Sequence, residues 1–206
     1  EDRMEAAAIV LAAGAGTRMK SKKPKVAHEV LGKPLVRWVV DAAHAAGVTQ
    51  VATVVGHARE QVIPLVEGDT QVVVQEVQNG TAGAVLACAD AFAGFDGSLS
   101  VLTGDCPLIK PETIARLAQV RDENNAAVVV LTMKLNDPTG YGRIIRDADG
   151  QVERIVEQKD ATPEEAAVNE CNSGFYCFDA RALFNALAQV SNNNAQGEFY
   201  LTDVLE

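Results

Sequence analysis

Ala6-Ala7-Ala8-Ile9-Val10-Leu11-Ala12-Ala13-Gly14-Ala15-Gly16-Thr17-Arg18 is the stretch on which the reading of this chain turns. From Ala6 to Ala13 it is apolar without interruption and it closes at Gly14, which suits a strand buried on both faces of a sheet. Open parallel sheets place their ligand loops directly after such strands. Glycines there let backbone N–H groups approach phosphate oxygens, and Arg18 can add a charge-assisted bond. Two better-known loops do not fit. A dinucleotide loop needs a third glycine where Met19 stands and an acid after the second strand, where Gly56-His57 stands, and the G-x-x-x-x-G-K-[ST] phosphate loop is absent. A bare glycine turn is the bland reading. Lys20, Lys22, Lys23, Pro24 and Lys25 lie immediately beyond, on a segment that the proline keeps from being uniform helix, and they favour a phosphate site.

Working outward, short apolar runs recur at Val51–Val55, Val72–Gln75, Leu99–Leu102 and Val128–Met133. Between them, Leu35, Val36, Val39, Val40 and Ala43 repeat at helical spacing, as do Ile114, Leu117, Ala118 and Arg121 after a Lys110-Pro111-Glu112-Thr113 start. Strands alternating with helices predict an α/β fold with a doubly wound, Rossmann-like, mostly parallel sheet. After residue 140 the pattern changes. Arg143–Arg146 and Val152–Glu157 flank Asp147-Ala148-Asp149-Gly150 and read as a hairpin, Asp160–Glu165 reads as a helix start, and Gly174–Phe178 reads as a strand. The last third is thus expected to be an antiparallel insertion into one sheet.

The chain has 206 residues, 48% of them apolar, which suits one compact domain spanning residues 1–206. Its formal charge of −10 disfavours a nucleic-acid partner. Glu1, Asp2 and Glu5 precede the first apolar run, unlike a secretory signal, and nothing supplies the roughly 20 apolar residues of a membrane span. No membrane partner and a cytoplasmic location are therefore expected. Cys88, Cys106, Cys171 and Cys177 have no metal-ligand or disulfide spacing and read as reduced, mostly buried side chains. His28, His44 and His57 carry no nucleophile motif, and Trp38 falls in a helical pattern that suggests core packing.

Several segments together are more specific than the glycine loop. Leu11-Ala12-Ala13-Gly14-x-Gly16-Thr17-Arg18-Met19 with Pro24-Lys25 resembles the signature of nucleotide-sugar pyrophosphorylases. Gln75 with Gly80-Thr81, Gly104-Asp105-x-Pro107-Leu108, Asp137 to Ile144, Val156-Glu157-x-Lys159-Asp160-Ala161 and Asn192 to Glu198 resemble the bacterial N-acetylglucosamine-1-phosphate uridylyltransferases. The resemblance runs in order from about residue 7 to the end of the chain. It implies a nucleotide-diphospho-sugar transferase fold and synthesis of UDP-N-acetylglucosamine from UTP and N-acetylglucosamine 1-phosphate, for peptidoglycan and lipopolysaccharide precursors. It also implies the site residues: Leu11, Ala12, Ala13, Gly14, Lys25, Gln75, Gly80, Thr81, Thr103, Gly104 and Asp105 for the nucleotide, and Gly142, Glu157 and Asn172 for the sugar. Arg18 and Lys25 would act on the phosphates, and Asp105 would bind Mg2+.

The implied reaction needs those residue types. A sugar-phosphate oxygen is already anionic when it attacks the α-phosphorus, so the step calls for positioning and charge neutralisation rather than a base. Asp105 falls just past the run Leu99–Leu102, where a Gly-Asp turn would be unremarkable alone but beside a glycine loop suits a magnesium ligand. Glu157 and Asn172 suit sugar hydroxyls and an N-acetyl group, and Tyr141 fits either a loop against a ligand or an aromatic plug beneath a turn. The family supplies a second metal ligand, an asparagine, beyond Glu206, and a left-handed β-helix that carries acetyl transfer and trimer formation. The chain therefore reads as an isolated N-terminal domain, a monomer from a trimeric parent, with weak turnover. Thr103 stands where the family often has tyrosine. A related pyrophosphorylase with another base or sugar, and a non-catalytic nucleotide-sugar binding module, are the competing readings.

Overall fold

A computed structural model of the chain describes residues 5–16, 19–190 and 197–205. Among them β1 (Ala6–Ala12) is the centre of the fold, with Ala7, Ala8, Ile9 and Val10 wholly buried. It pairs in parallel with β4 (Gln50–Val55) on one side and β6 (Ser98–Thr103) on the other, and β4 pairs in parallel with β5 (Gln71–Val74). A small hairpin, β2 (Glu29–Val30) and β3 (Lys33–Pro34), intervenes before the first helix.

The helices are α1 (Leu35–Ala45), α2 (Arg59–Val66), α3 (Thr81–Leu86), α4 (Pro111–Glu123), α5 (Pro163–Ala166) and α6 (Ala180–Leu187). Alternation along β1 sends Ala8 and Val10 to a core with Val36, Val40, Val62, Ile114 and Leu117 of α1, α2 and α4. Ala7 and Ile9 join the opposite core with Ala82, Val85, Leu183 and Leu187 of α3 and α6. Each fully buried Val or Ile contributes about 1.5–3 kcal/mol, so both faces of the run are used. The sheet is doubly wound.

β7 (Val128–Lys134), expected among the parallel strands, joins the sheet instead through the ten-residue β10 (Glu170–Asp179), to which it is antiparallel. Periodicity cannot distinguish these outcomes, because it reports which faces are buried and not which neighbour a strand takes. The C-terminal half of β10 pairs antiparallel with β6, at Tyr176–Asp179, while its start pairs Cys171 with Arg143 of β8. Gly174, at φ +82°, lies in the register break between those halves. β8 (Arg143–Arg146) and β9 (Val152–Val156) form the expected hairpin, whose turn is held by Asp147 Oδ1 accepting from the N–H groups of Asp149 and Gln151, both at 2.9 Å. Among the described residues the result is an eight-stranded mixed sheet, parallel around β1 with the antiparallel insertion on its β6 side.

Trp38 departs from the core placement expected of it. It is half-buried against the hairpin, with Nε1 donating to the carbonyls of Val30 (3.1 Å) and Lys33 (3.2 Å) and the Lys33 ammonium 4.4 Å from the ring centre. A helical stripe of residues identifies one face, and Trp38 flanks that face rather than lying in it. No helix of the described residues is long and apolar enough to cross a membrane.

Candidate active site

The chain runs from β1 to β4 in one direction across the sheet, while β6 lies on the other side of β1. That reversal makes a crevice beyond the carboxyl ends of β1 and β6. Leu11 and Thr103 are register partners, and the Gly104 N–H donates to the Leu11 carbonyl at 2.9 Å, so the glycine loop and Thr103-Gly104-Asp105 leave the sheet side by side. A side chain at 104 would place Cβ 2.7 Å from the Leu11 oxygen. Only glycine allows the Asp105 turn to lie this close.

Lys25 reaches the same place from elsewhere. It opens a 3-10 turn, Lys25–Ala27, whose Val26 and Ala27 are buried, and Gly16 at φ +59° presses on it so tightly that a Cβ there would be 2.7 Å from Lys25 Cβ. Lys25 Nζ lies 2.6 Å from Asp105 Oδ2. Both side chains keep partial exposure, 43% and 31%, so both face an open site. Cys106, within 3.5 Å of Asp105 Oδ1, has its thiol pushed up chiefly by burial and is not a thiolate at neutral pH.

Beyond β5 lies the expected nucleotide loop. Gln75 is buried and its Nε2 donates to Asn79 Oδ1 (3.0 Å) and the Gly80 carbonyl (3.1 Å), which fixes the amide with its oxygen as the remaining acceptor. Gln78 Nε2 donates to the Ala13 carbonyl at 2.6 Å and ties this loop to the glycine loop. Segment 199–201 clamps it from the far side: Phe199 N–H donates to the Asn79 carbonyl (2.8 Å), Ala82 N–H to the Phe199 carbonyl (3.0 Å), and Leu201 N–H to Thr81 Oγ1 (2.9 Å).

The three expected sugar residues form one rung of the antiparallel insertion. Arg143 pairs with Val156 and Cys171, so the next rung aligns Glu157, Gly142 and Asn172. The Asn172 N–H donates to the Gly142 carbonyl at 2.9 Å, and a Cβ at Gly142 would meet Glu157 Oε1 at 3.3 Å. Asn172 Nδ2 donates to the Tyr176 hydroxyl, and its Oδ1 accepts from the Gly174 N–H at 2.9 Å. Burial, followed by the charges of Asp160 and Asp203, pushes the Glu157 carboxyl above the ordinary range. The Tyr176 hydroxyl is raised by burial, with the Glu157 charge adding to it. Tyr141 is 46% exposed and is not a plug.

Thr103 joins the two halves, because the Cα of Gly174 faces it so closely that a Cβ would be 3.3 Å from Thr103 Cγ2. Arg18 and Asn192 to Gln196 lie outside the described residues. The sequence reading missed Gln78, Tyr176 and buried Thr202, whose Oγ1 has no hydrogen-bond partner among the described residues. A glutamine just before Asn79-Gly80 was the one available signal. An open groove of about 680 Å³ on the α4 side shares Asp105 with this crevice and is otherwise lined by Cys106, Leu108, Lys110, Thr113 and Phe175 among others, so the two adjoin at Asp105, while the glycine loop and Glu157 line only the crevice.

Residues 8–203 match the family described as the MobA-like NTP transferase domain. The bifunctional protein GlmU of Pelotomaculum thermopropionicum is 50% identical over 203 residues, 98% of this chain and 44% of that protein. That of Lactobacillus johnsonii is 53% identical over 198 residues, 96% of this chain and 43% of that protein. The chain thus spans less than half the length of these relatives. Among solved structures, UDP-glucose pyrophosphorylase complexed with UDP-glucose superposes with a TM-score of 0.77 at 20% identity, covering 98% of this chain and 86% of the other. At that identity the likeness carries the fold, an α/β nucleotide-sugar transferase fold.

Proposed function

The chain belongs to the family of MobA-like NTP transferase domains, and from that premise we propose that it is a uridylyltransferase making UDP-N-acetylglucosamine and pyrophosphate from UTP and N-acetylglucosamine 1-phosphate. The observation that carries the reading is the meeting of Lys25 and Asp105 at the ends of β1 and β6, between a nucleotide loop and the Gly142, Glu157, Asn172 rung. Relatives at 50–53% identity bear the name GlmU, which favours this reaction over other nucleotidyl transfers.

The residues divide the work as follows. The Leu11–Gly14 backbone and Gly80-Thr81 receive the nucleotide, and the Gln75 oxygen accepts from a base that carries an N–H at the facing ring position, as uracil does and cytosine does not. Gly142 lets the sugar approach backbone, with Glu157 and Asn172 as hydrogen-bonding partners. Lys25, with Arg18, neutralises phosphate charge as the sugar phosphate attacks the α-phosphorus in line and the α–β bridging oxygen leaves on pyrophosphate.

Asp105 suits magnesium: its carboxylate is a hard oxygen donor, partly open to solvent, and already opposite a cationic group. Magnesium bound there, its shell completed by water and phosphates, would supply further neutralisation of the crowded anions. The reading extends to a cytoplasmic source of peptidoglycan and lipopolysaccharide precursors, and to a monomer for this chain.

The test is pyrophosphate release from UTP and N-acetylglucosamine 1-phosphate with magnesium, for wild type and Asp105→Asn, with glucose 1-phosphate as competing sugar and UDP-N-acetylglucosamine binding measured alongside. Release that requires the N-acetyl sugar and Asp105 supports the assignment. Loss of both release and binding in the wild type overturns it.

A further inference from the structure

Arg143 is the largest of the fully buried side chains, 2% exposed, and its guanidinium meets only neutral acceptors among the described residues. It donates to the Tyr141 carbonyl, to Gln158 Oε1 at 2.9 Å and to the Ala166 carbonyl at 3.2 Å, while Nε has no partner among the described residues. The exposed Asp137 carboxylate lies near enough for its charge to be felt but makes no hydrogen bond to it, and desolvating a guanidinium without a directly paired carboxylate costs several kcal/mol. Arg121, the other buried arginine, is compensated by Asp122 and Asp179. Stability alone therefore does not account for a guanidinium at 143.

Its acceptors explain it. Gln158 Oε1 takes both Arg143 Nη2 and, at 3.1 Å, the Gly140 N–H, so the arginine, the glutamine and the Gly140 turn form one connected unit. Ala166 ends α5, and its carbonyl is one of those a helix terminus leaves without an internal partner. Tyr141 and Gln158 stand immediately beside Gly142 and Glu157. The alternation of strand side chains puts Arg143 behind the Glu157, Gly142, Asn172 rung, where it cannot touch a ligand.

We infer that Arg143 is a positioning residue of the sugar subsite, which through Gln158 and the Tyr141 carbonyl sets the spacing between Gly142 and Glu157. This rests on the proposed reading of that rung as the sugar site. The consequence is selective: removing the guanidinium loosens the sugar contacts and leaves the nucleotide loop, beyond β5, as it was.

Calorimetric titration of the chain with UDP and with UDP-N-acetylglucosamine tests this, using Arg143→Lys, Arg143→Met and Gln158→Ala. In the wild type the sugar tightens binding relative to UDP. Arg143→Met is expected to weaken UDP-N-acetylglucosamine about tenfold or more while UDP changes less than about twofold, the scale of one or two lost hydrogen bonds. Arg143→Lys regains part of the loss, and Gln158→Ala reproduces part of it. Should both arginine variants fail to fold, Gln158→Ala decides. Variants that lose UDP and the sugar nucleotide in parallel, or that keep the full sugar increment, overturn the inference. A wild type in which the sugar adds nothing overturns the reading beneath it.

Discussion

Lys25 Nζ and Asp105 Oδ2 stand 2.6 Å apart although 80 positions separate the two residues in the chain. The pair is held from both sides by close backbone approaches, Gly16 against Lys25 and Gly104 against Leu11. Partly exposed ion pairs of this kind contribute about 0–1 kcal/mol, so the contact is a product of the site's assembly rather than a support of the fold.

Asp105→Asn and Lys25→Ala are accordingly expected to leave the melting temperature within about 4 °C of wild type. Pyrophosphate release should fall about 10²–10³-fold in each, the range for losing one preorganised electrostatic contact. Thermal melts beside initial rates check this, and a large loss of stability would recast the pair as structural.

Magnesium affinity should depend on the nucleotide. The described residues hold no group of three or more His, Cys, Asp and Glu side chains able to grip a metal. One carboxylate leaves most of the shell to water and phosphate. Magnesium titrations with and without UTP are expected to differ strongly, and tight binding without nucleotide would contradict a shared site.

Glu157 gives a pH dependence of definite sign. Its carboxyl titrates above the ordinary glutamate range because of burial first, then Asp160 and Asp203. The folded state therefore holds this proton to higher pH than the unfolded chain, and the group's contribution is full below about pH 4 and is lost as pH rises through the folded pKa. Glu157→Gln should raise the melting temperature at pH 7 by a few degrees, with the gain vanishing near pH 4, while weakening UDP-N-acetylglucosamine. A gain that persists unchanged at pH 4 would rule out this linkage.

Gly80→Ala tests the clamp on the nucleotide loop. Gly80 has φ +105°, and a Cβ would lie 2.4 Å from the Phe199 carbonyl oxygen. The backbone strain alone is worth about 1–3 kcal/mol, or roughly 3–10 °C in melting temperature, and UTP affinity should fall with it. Unchanged UTP binding would show that the clamp is not needed for the nucleotide.

Arg121 supplies the contrast. Its Nε donates to Ser98 Oγ at 2.7 Å and its Nη atoms engage Asp122 and Asp179, which ties α4 to β6 and the end of β10. Arg121→Ala leaves the largely buried Asp122 carboxylate uncompensated, with the partly exposed Asp179 beside it, and is expected to cost about 3 kcal/mol in denaturant unfolding. KM values of folded enzyme should be unchanged, and a selective rise in one of them would place Arg121 in the site.

Most strands of the sheet, the helices α1 and α4 and the start of α5 could be read from the sequence, while the β2–β3 hairpin, α2, α3 and α6 could not. The run Ala6–Ala13, closed by Gly14, suited a doubly buried strand and is β1, the Asp147–Gly150 turn announced its hairpin, and the helix start read at Asp160–Glu165 is α5, which opens on a capping box of Thr162 and Glu165. These are local properties, set by side-chain period and turn chemistry. The candidate site residues were named from the ordered motifs that carry them.

How these elements meet was set by long-range packing. No local signal says that β7 and β6 lie on opposite edges of β10, because strand partners are chosen by long-range packing. Nor does one say that Arg143 and Gln158 connect behind the Glu157, Gly142, Asn172 rung, or that Phe199 closes on Gly80. Those relations depend on chain separations over which propensity carries no information, and the buried charge of Arg143 becomes intelligible only when the loops it holds are seen together.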